Sequence, residues 1–208
     1  MTGNELTPPT PVEEHDEDGL DREKARRGAR LLLEAMGEDP ERDELIDTWQ
    51  RRVPDTLATL SEGNRLEAKP EMRTFDAETD ELVIKTWIPF YSLCEHHLLP
   101  FQGVAHVAYR PNGRVVGLSK LVRYVRWRSR RPTIQEGLTR EITTGLAEEI
   151  DAEGVVVELS ATHMCETMRG VETETETITR ASTGDISDRE RARFEDAIAR
   201  ATTHGGRR

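Results

Sequence analysis

The spacing of apolar residues divides the chain into helical and strand segments. Apolar residues three and four positions apart are typical of amphipathic helices, which we expect in residues 19–36, 41–60, 132–150 and 187–201. Alternation with a period of two predicts strands, which we expect in residues 82–91, 103–109, 115–117, 154–159 and 171–179. Ser119, a residue type favoured at helix N-termini, begins a shorter predicted helix that ends at Tyr124. This order of elements predicts an α+β fold built on an antiparallel sheet.

The polar segments at the two ends set the expected domain boundaries. Residues 1–17 combine prolines with an acidic run, a composition that predicts a disordered tail. Residues 204–208 are expected to form a second disordered tail. Between the tails we predict an N-terminal helical region at residues 18–65 and one α+β domain at residues 66–203.

The charge of the chain excludes some classes of partner. Forty acidic residues against 29 basic ones give a net charge of −11, which argues against binding of duplex nucleic acid. No apolar run is long enough to cross a bilayer, so we expect a soluble, cytoplasmic protein with no membrane partner. Four lysines stand against 25 arginines. This acidic, lysine-poor composition favours a halophilic source over the alternative of a GC-rich genome.

The two cysteines lie in histidine-containing clusters and suggest a metal site. Cys94 and His97 are three residues apart, so one turn can direct both at a single ion. Cys165 would complete a set of three ligands and leave one open position, as in catalytic zinc sites. Two buried thiols without metal are the alternative, and a disulfide is not expected in a cytoplasmic protein.

Two further histidines flank the proposed ligands. His96 precedes His97, and His163 lies two residues before Cys165. Histidine titrates in the range that proton transfer near neutral pH requires. The alternative is a hydrogen bond from either ring to a metal ligand. We favour acid–base catalysis for the pair.

Polar residues at two predicted helix starts suggest an anion site and a base-recognition site. Ser119, Lys120 and Arg123 share one end of a helix and can bind phosphate there, and Arg169 would add a cation beside the metal. Glu136 opens the long helix, where its carboxylate can accept hydrogen bonds from N1 and the 2-amino group of a guanine. A favourable acid at a helix N-terminus is the alternative explanation for Glu136.

Together these residues resemble the GTP cyclohydrolase I family over about residues 20–200. Four sequence blocks in one order carry the resemblance: SLCEHHLLPF at 92–101, GLSKLVR at 117–123, RRPTIQEGLTREI at 130–142 and HMCETMRG at 163–170. The resemblance implies a T-fold catalytic domain, in which antiparallel strands and paired helices close into a barrel only when subunits assemble. It further implies a decamer of two stacked pentamers with active sites between subunits.

The resemblance also assigns roles by position. It implies Zn²⁺ ligands at Cys94, His97 and Cys165, and catalytic roles for His96, His163 and Ser119. It places Gln135 and Glu136 at the guanine ring. It places Glu95 among the substrate contacts. The triphosphate and ribose end is assigned to Ser119, Lys120, Arg123 and Arg169. The implied reaction opens the imidazole ring of GTP at C8 and yields 7,8-dihydroneopterin triphosphate and formate.

Two segments depart from the family pattern, and two alternative functions stay open. The family usually carries Thr-Pro-x-Arg-Val in its second helix, whereas residues 47–53 lack the proline and are one residue longer. Either Arg51 or Arg52 can supply the arginine. The alternation of Glu and Thr at 172–179 is unusually polar for a strand, as in a halophilic surface or a changed subunit contact. The alternative functions are a T-fold enzyme of the deazaguanine pathway and a GTP-binding module without turnover.

Overall fold

The computed structural model describes residues 19–79 and 81–205. The chain divides into two compact units, with the boundary in sequence between Thr59 and Leu60. The predicted tail at residues 1–17 lies outside the described residues, as do the last three residues of the predicted tail at 204–208. Among residues 19–79 and 81–205, no helix combines the length and the apolar character that a bilayer crossing requires.

The N-terminal unit begins with the predicted amphipathic helix, α1, at Arg22–Ala35. Asp21 caps it, because its carboxylate accepts a hydrogen bond from the backbone N–H of Lys24 at 2.9 Å. Ala29 and Leu33 are buried, as the apolar spacing predicts. Leu32, from the same predicted face, is 65% exposed, so only part of that face is covered within the chain.

The second predicted helix contains a π-helical turn in its middle. It consists of α2 at Asp43–Asp47, the π turn at Thr48–Arg52 and α3 at Val53–Leu60. The backbone N–H of Val53 donates to the carbonyl of Thr48, five residues earlier. A π turn accommodates one residue more than an α turn. The extra residue in segment 47–53 therefore changes the winding of the helix without ending it.

The second unit is built on a five-stranded sheet with the order β5-β2-β3-β6-β7. Its strands are β2 at Val83–Cys94, β3 at Pro100–Arg110, β5 at Pro132–Thr133, β6 at Gly154–His163 and β7 at Thr177–Gly184. All neighbours are antiparallel except β5, which runs parallel to the last two residues of β2. The prediction of an α+β fold on an antiparallel sheet is confirmed.

A separate two-stranded sheet pairs β1 at Thr74–Asp76 with β4 at Arg114–Val116. The sequence predicted β4 but not β1, which lies in a polar stretch with little alternation. The partner of β4 is therefore a strand about forty residues earlier in the chain.

Two helices cover one face of the sheet and enclose the main core. They are α4 at Leu118–Ser129 and α5 at Gln135–Ile150. Leu138, Ile142 and Leu146 are at most 1% exposed, which confirms the predicted apolar face of α5. Gly145 permits the close approach of the two helices, because a Cβ there would lie 2.0 Å from the hydroxyl oxygen of Tyr124.

The starts of both helices differ from the prediction. Gly117 is the N-cap of α4, so Ser119 is the second residue of the helix and not its cap. The long helix begins at Gln135, three residues later than predicted, because Pro132 and Thr133 extend along the end of β2 as β5. In both cases the pairing of the preceding segment decides where the helix starts.

The final strand also lies later in the chain than predicted. Residues 171–176 are irregular, and β7 begins at Thr177. Glu172 has a positive φ of 51°, a conformation that interrupts a strand. After β6, a short helix α6 spans Met164–Thr167, and α7 spans Asp188–Gly205.

A part-buried ion pair joins α7 to the end of β3. Arg110 donates from Nε to the carboxylate of Glu190 at 2.9 Å, and their side chains are only 17% and 12% exposed. Glu190 also accepts from the backbone N–H of Ser187 at 2.9 Å, which forms a capping box at the start of α7. The Arg110 hydrogen bond lowers the pKa of Glu190 from 4.5 to about 2.

This ion pair predicts a loss of stability in acid. The folded-state pKa of Glu190 lies below its unfolded value, so its contribution is present above about pH 4.5 and is lost as the pH falls toward about 2. We expect Glu190→Gln to lower the free energy of unfolding at pH 7 by about 2 kcal/mol. The unfolding temperature of the variant should also fall less than that of the wild type between pH 7 and pH 3, which thermal unfolding measures. Asp196→Asn, on the exposed side of α7, is the matched control; equal acid sensitivity of wild type and Glu190→Gln would contradict the prediction.

Candidate active site

Three residues that can hold a metal ion converge at one end of the five-stranded sheet. Cys94 is the last residue of β2, His97 lies in the turn that leads to β3, and Cys165 lies in α6. Their ligand atoms all lie within 4.8 Å of one another. Cys94 Sγ and His97 Nδ1 are 3.8 Å apart. The structure thus brings together the three predicted metal ligands.

The turn after β2 directs Cys94 and His97 toward each other. The carbonyl of Cys94 accepts hydrogen bonds from the backbone N–H groups of His97 at 3.3 Å and Leu98 at 2.8 Å. Leu98 has a positive φ of 53°, which closes the turn before Pro100 begins β3. This tight geometry is the reason that residues three apart in sequence share one site.

Both thiols are free, and the pKa of Cys165 is raised. Burial raises the pKa of Cys165, and the neighbouring Cys94 raises it further. Two thiolates so close together would repel each other without a cation between them. Because metals bind the thiolate, metal binding here would release protons.

Arg169 contacts the histidine of the metal group directly. Its Nη1 lies 2.8 Å from His97 Nε2. A guanidinium can only donate, so His97 Nε2 accepts and carries no proton. A neutral His97 in this contact therefore has its proton on Nδ1, the atom that faces Cys94.

His163 is held on two sides. Its ring stacks on Phe101 with a centroid distance of 4.6 Å and an angle of 6°, and its Nε2 lies 2.8 Å from Gln135 Oε1. Burial lowers the pKa of His163, while the charges of Glu166 and Glu136 act in the opposite direction. The ring therefore has a fixed orientation beside the metal group.

The remaining predicted site residues are more open. The side chain of His96 is 65% exposed, and its Nε2 lies 3.7 Å from Glu95 Oε1. Glu136, Ser119 and Arg123 are exposed and Lys120 is half-buried. Within the described part of the chain, the side chains of these four residues (Glu136, Ser119, Arg123 and Lys120) form no hydrogen bond or ion pair. Their polar groups are therefore available to a ligand.

The sequence did not reveal two residues that shape the site. Phe101 lies opposite His163 in the pairing of β3 with β6, and this register places the two rings in contact. Thr179, on β7, contacts Gln135. Only the pairing of strands distant in sequence identifies either residue.

Comparison with known proteins places the chain in a family. A sequence profile described as GTP cyclohydrolase I matches residues 25–199. A GTP cyclohydrolase 1 of Clostridium perfringens (strain 13 / Type A) is 48% identical over 157 residues, which cover 73% of this chain and 82% of that protein. A GTP cyclohydrolase 1 of Brevibacillus brevis is 44% identical over 185 residues, covering 88% of this chain and 95% of that protein.

A solved structure gives a weaker match. The archaeosine synthase QueF-Like in the apo form matches with a TM-score of 0.42 and 17% identity, over 53% of this chain and 100% of that chain. The profile match at residues 25–199 includes all four sequence blocks, and both relatives match over more than two thirds of the chain. The chain belongs to the GTP cyclohydrolase I family.

Proposed function

We propose that this chain catalyses the reaction for which its family is named, the hydrolysis of GTP to 7,8-dihydroneopterin triphosphate and formate. The observation that carries the proposal is the convergence of the Cys94, His97 and Cys165 ligand atoms within 4.8 Å, beside a fixed His163. This set supplies a metal position and a proton-transfer group at one place. Hydrolytic opening of a purine ring requires both.

We propose zinc as the metal. Two thiols and one imidazole are donors that zinc prefers, and three protein ligands leave a position for water. When bound, zinc lowers the pKa of a water molecule toward neutrality and thereby supplies a nucleophile for C8 of the guanine. Cys94, His97 and Cys165 hold the ion, and the family relationship supports this assignment.

The other residues bind the two ends of GTP and move protons. His163 transfers a proton to the purine nitrogen next to C8, and the more exposed His96 serves as the second proton-transfer group, near Glu95. Glu136 accepts hydrogen bonds from N1 and the 2-amino group of guanine. The triphosphate and ribose are held by Ser119, Lys120 and Arg123 on α4, and by Arg169 in the segment between α6 and β7.

We propose a homo-oligomer, a decamer of two pentamers as the family resemblance implies. Among the described residues, β7 pairs only with β6, and β2 pairs beyond β3 only at Leu93 and Cys94. Both sheet edges are thus open to another chain. Ile178 on β7 and Tyr91 on β2 are 59% and 58% exposed, which supports pairing of these edges between subunits. The two free thiols support a cytoplasmic location.

The contact between Arg169 and His97 predicts competition with the metal. A metal on Nε2 would displace the guanidinium, and a metal on Nδ1 would place the proton on Nε2, which could then no longer accept from Arg169. Arg169→Met should therefore raise zinc affinity about tenfold while it lowers turnover of GTP. Zinc affinity is measured by competition with a coloured chelator, with the exposed Arg193→Met on α7 as control. Unchanged or weaker zinc binding in Arg169→Met would contradict this prediction.

The proposed reaction is tested by incubating the protein with GTP and zinc in high potassium chloride, the medium that the acidic composition favours. Formate release together with the ultraviolet absorbance of a dihydropterin, both abolished by a chelator, is the expected result. A deazaguanine-pathway enzyme would release no formate. A binding module would bind GTP tightly and form neither product.

A further inference from the structure

The carboxamide of Gln135 is completely engaged inside the protein. Gln135 is 1% exposed at the first position of α5. Its Nε2 donates to the carbonyls of Leu159 at 3.1 Å and Thr177 at 2.8 Å and contacts the hydroxyl of Thr179 at 3.1 Å. Its Oε1 lies 2.8 Å from His163 Nε2. No polar atom of this side chain is left for a ligand.

These contacts fix which way the amide faces. Backbone carbonyls only accept hydrogen bonds, so the NH₂ group of Gln135 must face Leu159 and Thr177. Its oxygen then faces His163 and can only accept. His163 Nε2 must therefore donate, which leaves Nδ1 as the unprotonated nitrogen of the neutral ring.

Two threonines hold Gln135 in this position. Thr139 donates from its hydroxyl to the backbone carbonyl of Gln135 at 2.7 Å, and its oxygen lies 2.6 Å from that of Thr179. Because Thr139 uses its single hydrogen on that carbonyl, the Thr179 hydroxyl must donate to Thr139. Every donor in this network has an acceptor, which favours one arrangement over its alternatives.

We propose that Gln135 is a positioning residue that selects the tautomer of His163 and so presents Nδ1 to the substrate. This inference rests on the proposed function, and it replaces the guanine contact that the family resemblance implied for Gln135. The stack on Phe101 fixes the plane of the ring, and Gln135 fixes the nitrogen that is available.

The first test separates turnover from binding. Gln135→Leu keeps most of the volume but removes the acceptor, and we expect kcat for formate release to fall about 10- to 100-fold with KM for GTP unchanged. In a His163→Ala background the same substitution should cause no further loss, because it acts through His163. A raised KM with kcat retained, or additive losses in the double variant, would overturn the inference.

A matched control separates the bond to His163 from general loosening of the helix. Thr143→Val removes a buried hydroxyl one turn further along α5, which donates to the carbonyl of Thr139 at 2.7 Å and not to Gln135 or His163. We expect it to lower the unfolding temperature but to keep kcat within about threefold of the wild type. An equal loss of kcat in Thr143→Val and Gln135→Leu would mean that general loosening, and not the tautomer, reduces turnover.

The tautomer itself can be read without altering Gln135. In protein labelled with ¹⁵N-histidine, the signals absent from His163→Ala belong to His163, and we expect Nε2 to be protonated and Nδ1 to be bare. A proton on Nδ1 would overturn the inference even if Gln135→Leu failed to fold. Absence of formate from the wild-type protein would instead reject the proposed function, whatever the tautomer.

Discussion

Replacing Cys165 by alanine is expected to abolish zinc retention and to lower formate release from GTP by about a thousandfold or more. The substitution leaves two protein ligands, which is too few for the three-ligand sites that catalytic zinc occupies. A catalytic metal contributes several kcal/mol to the barrier, and each 1.4 kcal/mol is a factor of ten in rate. Zinc content after dialysis and formate release measure the two effects together.

The control for Cys165→Ala is Met168→Leu, which lies three residues further on and is 62% exposed. It keeps the volume of the side chain and should keep both zinc and activity. Full activity of Cys165→Ala would contradict the metal assignment. Loss of activity with zinc still bound in stoichiometric amount would contradict the role of Cys165 as a ligand.

His163→Ala is expected to produce the second large effect, a fall in kcat of about a hundredfold to ten-thousandfold, the range typical of general acid–base catalysis. The loss should leave zinc content unchanged, because the ring is bonded to Gln135 and stacked on Phe101. GTP affinity should change little. Steady-state formate release, zinc content and equilibrium binding of GTP distinguish these quantities.

Two comparisons sharpen the His163 experiment. Added imidazole should restore part of the activity of His163→Ala, since the cavity left by the ring retains the acceptor Gln135 Oε1. His96→Ala should respond less, because the side chain of His96 is 65% exposed and in contact with solvent. If His163→Ala kept its turnover while His96→Ala lost it, the assignment of the main proton-transfer group would be reversed.

Local patterns were sufficient to predict much of the fold. The spacing of Leu138, Ile142 and Leu146 predicts a helix with one buried face, and the structure buries all three. The α+β class is confirmed by the five-stranded sheet and its helices, and the T-fold follows from membership of the family. The buried face of α5 depends on contacts between neighbours in sequence, which a periodicity records, whereas the T-fold was implied by the family resemblance.

Features that depend on the pairing of segments far apart in sequence could not be predicted in the same way. Glu–Thr alternation continues through residues 172–179, yet only the part from Thr177 onward pairs with β6. Ser119 has the propensity of a cap, but the helix begins earlier at Gly117. The same limit applies in the site. The spacing of Cys94 and His97 indicates the metal group, whereas the proposed role of Gln135 depends on contacts of α5 with β6 and β7, which are distant in sequence. The halophilic source stays a prediction.

The most direct test of the central claim follows the fate of C8 of GTP. With GTP carrying ¹⁴C at C8, opening of the imidazole ring must transfer the label to formate and leave the pterin unlabelled. We predict that one labelled formate is released for each dihydroneopterin triphosphate formed, and that neither forms after zinc is removed by a chelator. Label that stayed in the nucleotide or appeared in the pterin would contradict ring opening at C8.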